Sequence, residues 1–314
     1  MVSGKKSLRS RFLDTVGEPV QTDVSLCDFS HFKIGGAADF FYEATTEAGL
    51  RAALEFAREE GLPFYLIGGG YNLLFADEGY RGLIIKNSVA GVSSRKETIL
   101  EVEAGTALAR LEEFCVEFGW TGLEFMTGIP GTVGGAVFGN AGAFEQTIGQ
   151  HLIEATLLGA GKKTVEVGRD ELAFGYRSSR LKKKHDVLLK AAFCVKQTER
   201  TKVEELLSDY SERRGKNHPP WETACAGSYF KNPVVPDGTR IPAARLLDKA
   251  GAKGLSLGGA SIYENHANFI INRGQATSQN VRDLAAELKR RVRDESGIEL
   301  EEEVIFVPEF ATLP

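Results

Sequence analysis

Cysteine, tryptophan and methionine are scarce in this chain. Of 314 residues, four are cysteine, two tryptophan and two methionine. Cys27, Cys115, Cys194 and Cys225 stand far apart with no C-x-x-C pair, so neither a disulfide framework nor a zinc site is indicated, and the thiols read as buried or incidental. No stretch approaches the roughly 18 apolar residues of a membrane span, and the basic start MVSGKKSLRSRF runs into no apolar signal core. A cytosolic protein is expected. An excess of positive charge is missing too, because 38 Lys and Arg against 43 Asp and Glu leave a net charge of -5. Nothing global then favours nucleic acid or an anionic membrane.

Familiar catalytic signatures are also lacking. No G-x-G-x-x-G follows a strand, which removes the ordinary Rossmann fingerprint, and no G-x-S-x-G elbow exists. The five histidines, His31, His151, His185, His218 and His266, never fall at the i, i+4 spacing of a helical metal pair. Gly159-Ala-Gly-Lys-Lys-Thr164 looks like the end of a P-loop, but Thr156 stands where the leading glycine belongs, so a hairpin turn is expected. The dense positive cluster Arg180, Lys182, Lys183, Lys184 and His185 reads as a solvated hairpin tip.

Glycine is plentiful: there are 35, about one residue in nine, against a usual share of roughly 7%. Two segments concentrate it. Leu66-Ile-Gly-Gly-Gly-Tyr-Asn-Leu-Leu74 follows a short apolar run, so consecutive backbone N–H groups could converge on an anion such as a diphosphate. Thr127-Gly-Ile-Pro-Gly-Thr-Val-Gly-Gly-Ala-Val-Phe-Gly-Asn-Ala-Gly-Ala143 has one bend fixed by Pro130 and glycines that permit close approach by something flat and large. Either alone could serve a tight crossover, whereas the two together favour a bulky phosphate-bearing cofactor.

Periodicity supplies the frame. Leu50, Ala53, Leu54 and Ala57 recur at helical spacing between Thr46 and Gly61, and Thr106 is placed to cap a helix with the stripe Leu108, Leu111, Phe114, Cys115 and Phe118. Apolar stretches around 153–158 and 187–195 suit strands. A charged helix over 202–214 runs into Gly215-Lys-Asn-His-Pro-Pro220, the best candidate domain boundary. Beyond it, 277–295 is the clearest helix, stopped by Gly297, and a strand over 303–307 is expected to close a smaller α+β domain.

At these motifs the chain resembles the UDP-N-acetylenolpyruvoylglucosamine reductase (MurB) family. The likeness runs from Phe32-Lys-Ile-Gly-Gly-Ala-Ala-Asp39 through both glycine segments and Gly175-Tyr-Arg-Ser-Ser179. It continues through Ala226-Gly-Ser-Tyr-Phe-Lys-Asn-Pro233, Gly251-Ala-Lys-Gly254, Gly258-Gly-Ala260, His266-Ala-Asn-Phe-Ile-Ile-Asn272 and Leu300-Glu-Glu-Glu-Val304. The resemblance implies an α+β fold. A two-lobed PCMH-type FAD-binding domain over 31–214, with lobes of about 31–105 and 106–214, would follow an N-terminal extension of 1–30. A smaller α+β substrate-binding domain over 215–314 would complete it.

The implied reaction is an NADPH-driven reduction of UDP-N-acetylglucosamine enolpyruvate to UDP-N-acetylmuramate in peptidoglycan precursor synthesis, with non-covalent FAD. Arg177 and Glu303 would stabilise an enolate-like intermediate and Ser228 would donate the proton. The flavin would lie along Gly68, Gly69, Gly70 and Asn72 at its diphosphate, and along Gly128, Ile129, Pro130, Gly134, Gly135, Ala136, Asn140 and Gly142. The UDP-sugar would meet Tyr176, Lys231, Asn232, His266 and Arg213. No metal, nucleic acid, membrane or obligatory protein partner is implied. Three positions depart from the family pattern: Tyr71 where serine is usual, Gly139 where a longer side chain is usual, and a basic residue shifted to Lys216. No long insertion follows the Tyr-Arg-Ser segment, as in the shorter branch of the family, so substrate closure cannot use a tyrosine from such a loop. Two alternatives share the fold: an alcohol or sugar oxidase using FAD, and a non-catalytic nucleotide-sugar binding protein.

Overall fold

The computed structural model describes residues 2–159, 163–184, 186–215, 218–235 and 238–310. The first layer is a four-stranded sheet in the order Gln21–Ser25, Ala37–Ala44, Tyr80–Asn87, Phe64–Ile67. Its first pairing is antiparallel and the other two are parallel. Apart from Arg81 and Lys86, the strand Tyr80–Asn87 is buried throughout, as a central parallel strand covered on both faces should be. Helix Glu47–Glu59 lies on this sheet and buries the stripe read from the sequence, with Thr46 Oγ1 accepting from the Gly49 N–H at 3.1 Å. Phe12, from helix Val2–Val16, meets Tyr42 and Phe56 edge-on. The stretch written as an N-terminal extension thus supplies a packed helix and an edge strand.

The second layer is a five-stranded antiparallel sheet in the order Thr164–Gly168, Leu152–Leu158, Val187–Cys194, Ile99–Glu103, Val92–Lys96. The strands Leu152–Leu158 and Thr164–Gly168 pair antiparallel, and the turn expected at 159–164 includes 160–162, which lie outside the described residues. Helix Leu108–Phe118 starts from Ala107, not Thr106. Thr106 is one position too early to cap, and its Oγ1 instead bonds both the N–H and the carbonyl of Gly91.

In the C-terminal part, helices Ala243–Lys249 and Ser278–Ser296 pack beside a three-stranded antiparallel sheet, Ser256–Leu257, Ala260–Ile262, Ile270–Asn272. Thr277 caps the long helix and Gly297 ends it at φ 70°. The last strand, Ile305–Val307, does not join that sheet. It pairs in parallel with Leu73–Phe75, immediately after the first glycine segment. Asp77 also crosses between the two parts, accepting from the Ser278 N–H and Oγ at 2.8 Å each. One apolar core accordingly takes in Phe32, Ile34 and Leu74 together with Leu247, Leu284 and Leu288. Among the described residues no helix is long and apolar enough to cross a membrane.

Candidate active site

The two glycine segments face one another. A Cβ on Gly68 would run into Thr132 Oγ1, and one on Gly69 would come within 3.2 Å of Gly131 Cα and 2.8 Å of the Tyr71 ring. The two segments therefore pack directly against one another, and the face they share is made largely of backbone, with Gly69 and Gly135 exposed, which is what a flat group with a diphosphate needs. Gly70 sits behind this face at φ 71°, its carbonyl accepting from the His31 N–H at 3.2 Å. Gly128 lies against Arg214, with Ile129 and Pro130 following it into the bend. Gly134, Gly135 and Ala136 belong to the short helix Val133–Gly139. Gly134 packs against Ala104, to whose carbonyl its N–H donates at 2.7 Å, and Ala136 is buried.

The Tyr71 ring packs against Gly69 and Gly131, where the two segments meet. It also lies 5.0 Å from His31 and 5.8 Å from Trp221, so a phenol replaces serine by stacking on neighbours. Asn72 has a partner of its own: Nδ2 donates to the Glu303 carbonyl at 3.0 Å and its carbonyl accepts from the Ile305 N–H. Its side chain joins the glycine loop to the last strand.

Arg177 and Glu303, 126 positions apart in sequence, meet here, with Arg177 Nε 2.7 Å from Glu303 Oε1. The Nε–H is not aimed at that oxygen, so the two groups lie close without a formed hydrogen bond. Burial raises the pKa of Glu303 above the usual carboxylate value against the opposing pull of Arg177, Lys182 and Lys231. Glu303 is held by backbone pairing, its N–H donating to the Tyr229 carbonyl at 2.8 Å, and the next pair joins the Lys231 N–H to the Glu301 carbonyl. Ser228, one residue before Tyr229, is thereby carried to the same edge. Its hydroxyl makes no hydrogen bond to another described residue, as suits a group meant for a ligand. Buried Asn268 fixes this loop by bonding both the N–H and the carbonyl of Phe230 at 2.9 Å.

The Tyr176-Arg177 tip is pinned from several sides. Tyr176 Oη accepts from the Asn232 N–H at 3.2 Å, and the Arg240 guanidinium stacks 3.8 Å from the Tyr176 ring centroid. Asn140 Nδ2 donates to the Gly175 carbonyl at 2.8 Å and the Gly142 carbonyl accepts from Arg177 Nη2 at 3.1 Å. The end of the second glycine segment thus serves Arg177 directly.

Two further positions differ from the sequence reading. Arg213 points outward, half-exposed, paired with Asp209 and lying over the Phe144 ring. Its neighbour Arg214 is the one facing Gly128, and burial and Arg177 lower its pKa. On a helix, adjacent residues point about 100° apart, so a one-residue slip exchanges surface for site. The basic cluster is not uniformly solvated either. Arg180 pairs with Asp186 at 2.9 Å and Lys182 turns inward, while Lys183 and Lys184 are exposed. Lys216 and His185 lie outside the described residues. Lys231 pairs with Glu301, and His266 packs against Phe269 and His218, its pKa lowered by burial.

Two family models match this architecture: an FAD binding domain over residues 38–168 and the C-terminal domain of UDP-N-acetylenolpyruvoylglucosamine reductase over 219–307. A reductase of that name from Caldicellulosiruptor bescii is 38% identical over 303 residues, covering 96% of this chain and 95% of the relative. The chain belongs to the UDP-N-acetylenolpyruvoylglucosamine reductase family. A relative from Chlamydia trachomatis is 37% identical over 92% of this chain and 96% of its own length. Among solved structures, the family member from Thermus caldophilus superposes with a TM-score of 0.75 at 32% identity, covering 92% of this chain and all of that one. Membership makes this chain an FAD-dependent NADPH oxidoreductase of PCMH-type α+β fold. The exposed glycine backbone of the two facing segments suits that cofactor.

Proposed function

We propose that the chain reduces UDP-N-acetylglucosamine enolpyruvate to UDP-N-acetylmuramate, with Arg177, Glu303 and Ser228 carrying the second half of the reaction. Bound FAD supplies the hydride, taken from NADPH. Hydride addition to a double bond conjugated to a carboxylate builds negative charge on that carboxylate and then needs a proton at the adjacent carbon. The Arg177 guanidinium meets the charge. Burial raises the pKa of Glu303, and in its protonated form it would donate a hydrogen bond instead of adding a second negative charge. The free hydroxyl of Ser228 gives up the proton. The observation that carries this reading is the meeting of Arg177 with Glu303 on the edge that bears Ser228.

Tyr176, Asn232 and Lys231, on the same rim, are the proposed contacts to the UDP-sugar. A flavin domain over 31–214 and a substrate domain over 215–314 suit this division of labour. A cytoplasmic setting suits it too, since NADPH and a UDP-sugar are charged nucleotides that do not cross a bilayer unaided.

The test separates the half-reactions. Under anaerobic conditions NADPH should bleach the flavin spectrum and the enolpyruvyl UDP-sugar should restore it. Ser228→Ala should bleach at a rate within about twofold of the parent and recover about a hundredfold or more slowly. Equal loss in both steps would remove Ser228 as the proton donor.

A further inference from the structure

Lys182 belongs to a run of cations that local sequence marks as solvated, yet its ammonium reaches back into the site. It follows a turn that is fixed at two points: Ser179 Oγ donates to the Phe138 carbonyl at 2.8 Å and Leu181 is buried in the core. From there Lys182 Nζ donates to the Arg177 carbonyl at 2.9 Å, with the Phe138 ring 5.5 Å away. That carbonyl needs a partner. Arg177 is one of the few non-glycine residues with positive φ, at 52°, a conformation that a residue with a Cβ adopts only at a cost. The hydrogen bonds that close the tip, from the Gly175 N–H to the Ser178 carbonyl and back, leave the Arg177 carbonyl outside the pairing.

We propose that Lys182 is a positioning residue for the reduction of the enolpyruvyl group: by holding the carbonyl of left-handed Arg177, it fixes the guanidinium against Glu303. The inference rests on the reading of Arg177 given above. Its surroundings agree with a fixed internal cation. Lys182 makes no ion pair to a described carboxylate, and burial together with Lys231 and Arg177 lowers its pKa, against Glu303 and Glu301. A lysine free to leave would sit in water beside exposed Lys183 and Lys184.

The experiment uses the flavin-loaded protein and single-turnover reoxidation by the enolpyruvyl UDP-sugar. Lys182→Met should slow reoxidation at saturating substrate about 10- to 100-fold, with the substrate dependence of the rate shifted less than about threefold and NADPH bleaching unchanged. Lys182→Arg, which keeps a donor, should recover most of the rate. The deciding measurement is the pair with Arg177→Met: if Lys182 acts through Arg177, the double variant is no slower than Arg177→Met alone. Additive losses, or weakened substrate affinity at an unchanged rate, would overturn the proposal. A normal rate in Lys182→Met alongside a slow Arg177→Met would sink this inference alone. A normal rate in Arg177→Met would sink the reading beneath it. If Lys182→Met loses its flavin, Lys182→Gln carries the same comparisons.

Discussion

Around Gly68 and Gly70 the chain can bear no added carbon, because Thr132 Oγ1 and the Phe29 carbonyl already occupy the space a Cβ would take. Around Arg177 and Glu303 the backbone tolerates side chains of full length, and what matters is where their charges point. On the proposed reading, one region recognises through peptide groups that every residue carries, while the other reacts through side chains delivered by distant segments. The glycine face should therefore fail when a side chain is added and the Arg177–Glu303 site when one is changed. The two sites are also joined, since Asn72 ties the glycine loop to Glu303, and Asn140 and Gly142 tie the second glycine segment to the Tyr176-Arg177 tip.

The largest expected effect is at the glycine face. Gly70→Ala forces a left-handed conformation on alanine, at about 1–3 kcal/mol, and drives its methyl group into the Phe29 carbonyl. The loop must move, taking Gly68 and Gly69 with it. Purified Gly70→Ala should carry little or no flavin, read as the ratio of visible to ultraviolet absorbance, and should melt several degrees lower. Full flavin content would mean that the glycine face does not depend on this close approach.

A smaller effect, confined to one half-reaction, is expected at the Arg177–Glu303 site. With its pKa raised by burial, Glu303 stays protonated above the usual carboxylate range; as pH climbs through the raised value it ionises beside Arg177, Lys182 and Lys231, next to where the reaction itself builds negative charge. Reoxidation by substrate should fall on the alkaline side for that reason. Glu303→Gln keeps a neutral donor and cannot ionise, so it should lose about tenfold near neutral pH and show no such alkaline limb. A limb that persists in Glu303→Gln assigns the titration to another group. Flavin content should match the parent, in contrast to Gly70→Ala.

The same contrast explains what could be read in advance. Thr277 and Gly297 bracket their helix because capping and the left-handed stop are local chemistry, written within a few residues. The glycine segments were legible because a backbone function excludes every other residue type. Arg177, Ser228 and Glu303 came only through the resemblance, since nothing near each of them names the other two. Lys182 was hidden because four consecutive basic residues look alike until a turn decides which one faces in. Arg213 and Arg214 were indistinguishable in sequence, although one helical step puts Arg214, not Arg213, against Gly128. The strand at 305–307 was visible as apolar residues, but its partner, Leu73–Phe75, lies more than 200 positions earlier, and alternation does not specify partners.

Tyr71 gives the finest test, because here a large side chain stands inside the backbone-built segment. Its ring shares a stack with His31 and Trp221, contributed by an N-terminal loop, the glycine loop and the start of the C-terminal part. Trp221 is 57% exposed whereas Trp120 is buried, so the two indoles are distinguishable by solvent quenching of their fluorescence. Tyr71→Ser should remove stacking worth on the order of 1 kcal/mol and increase iodide quenching of Trp221. Flavin affinity, measured by reconstituting the apoprotein, should change by no more than about threefold if recognition runs through the backbone of Gly69 and Gly131, against which the Tyr71 ring packs. A loss of flavin comparable to that of Gly70→Ala would show that this face also works through a side chain, and the distinction between the glycine face and the Arg177–Glu303 site would fail where it is drawn most sharply.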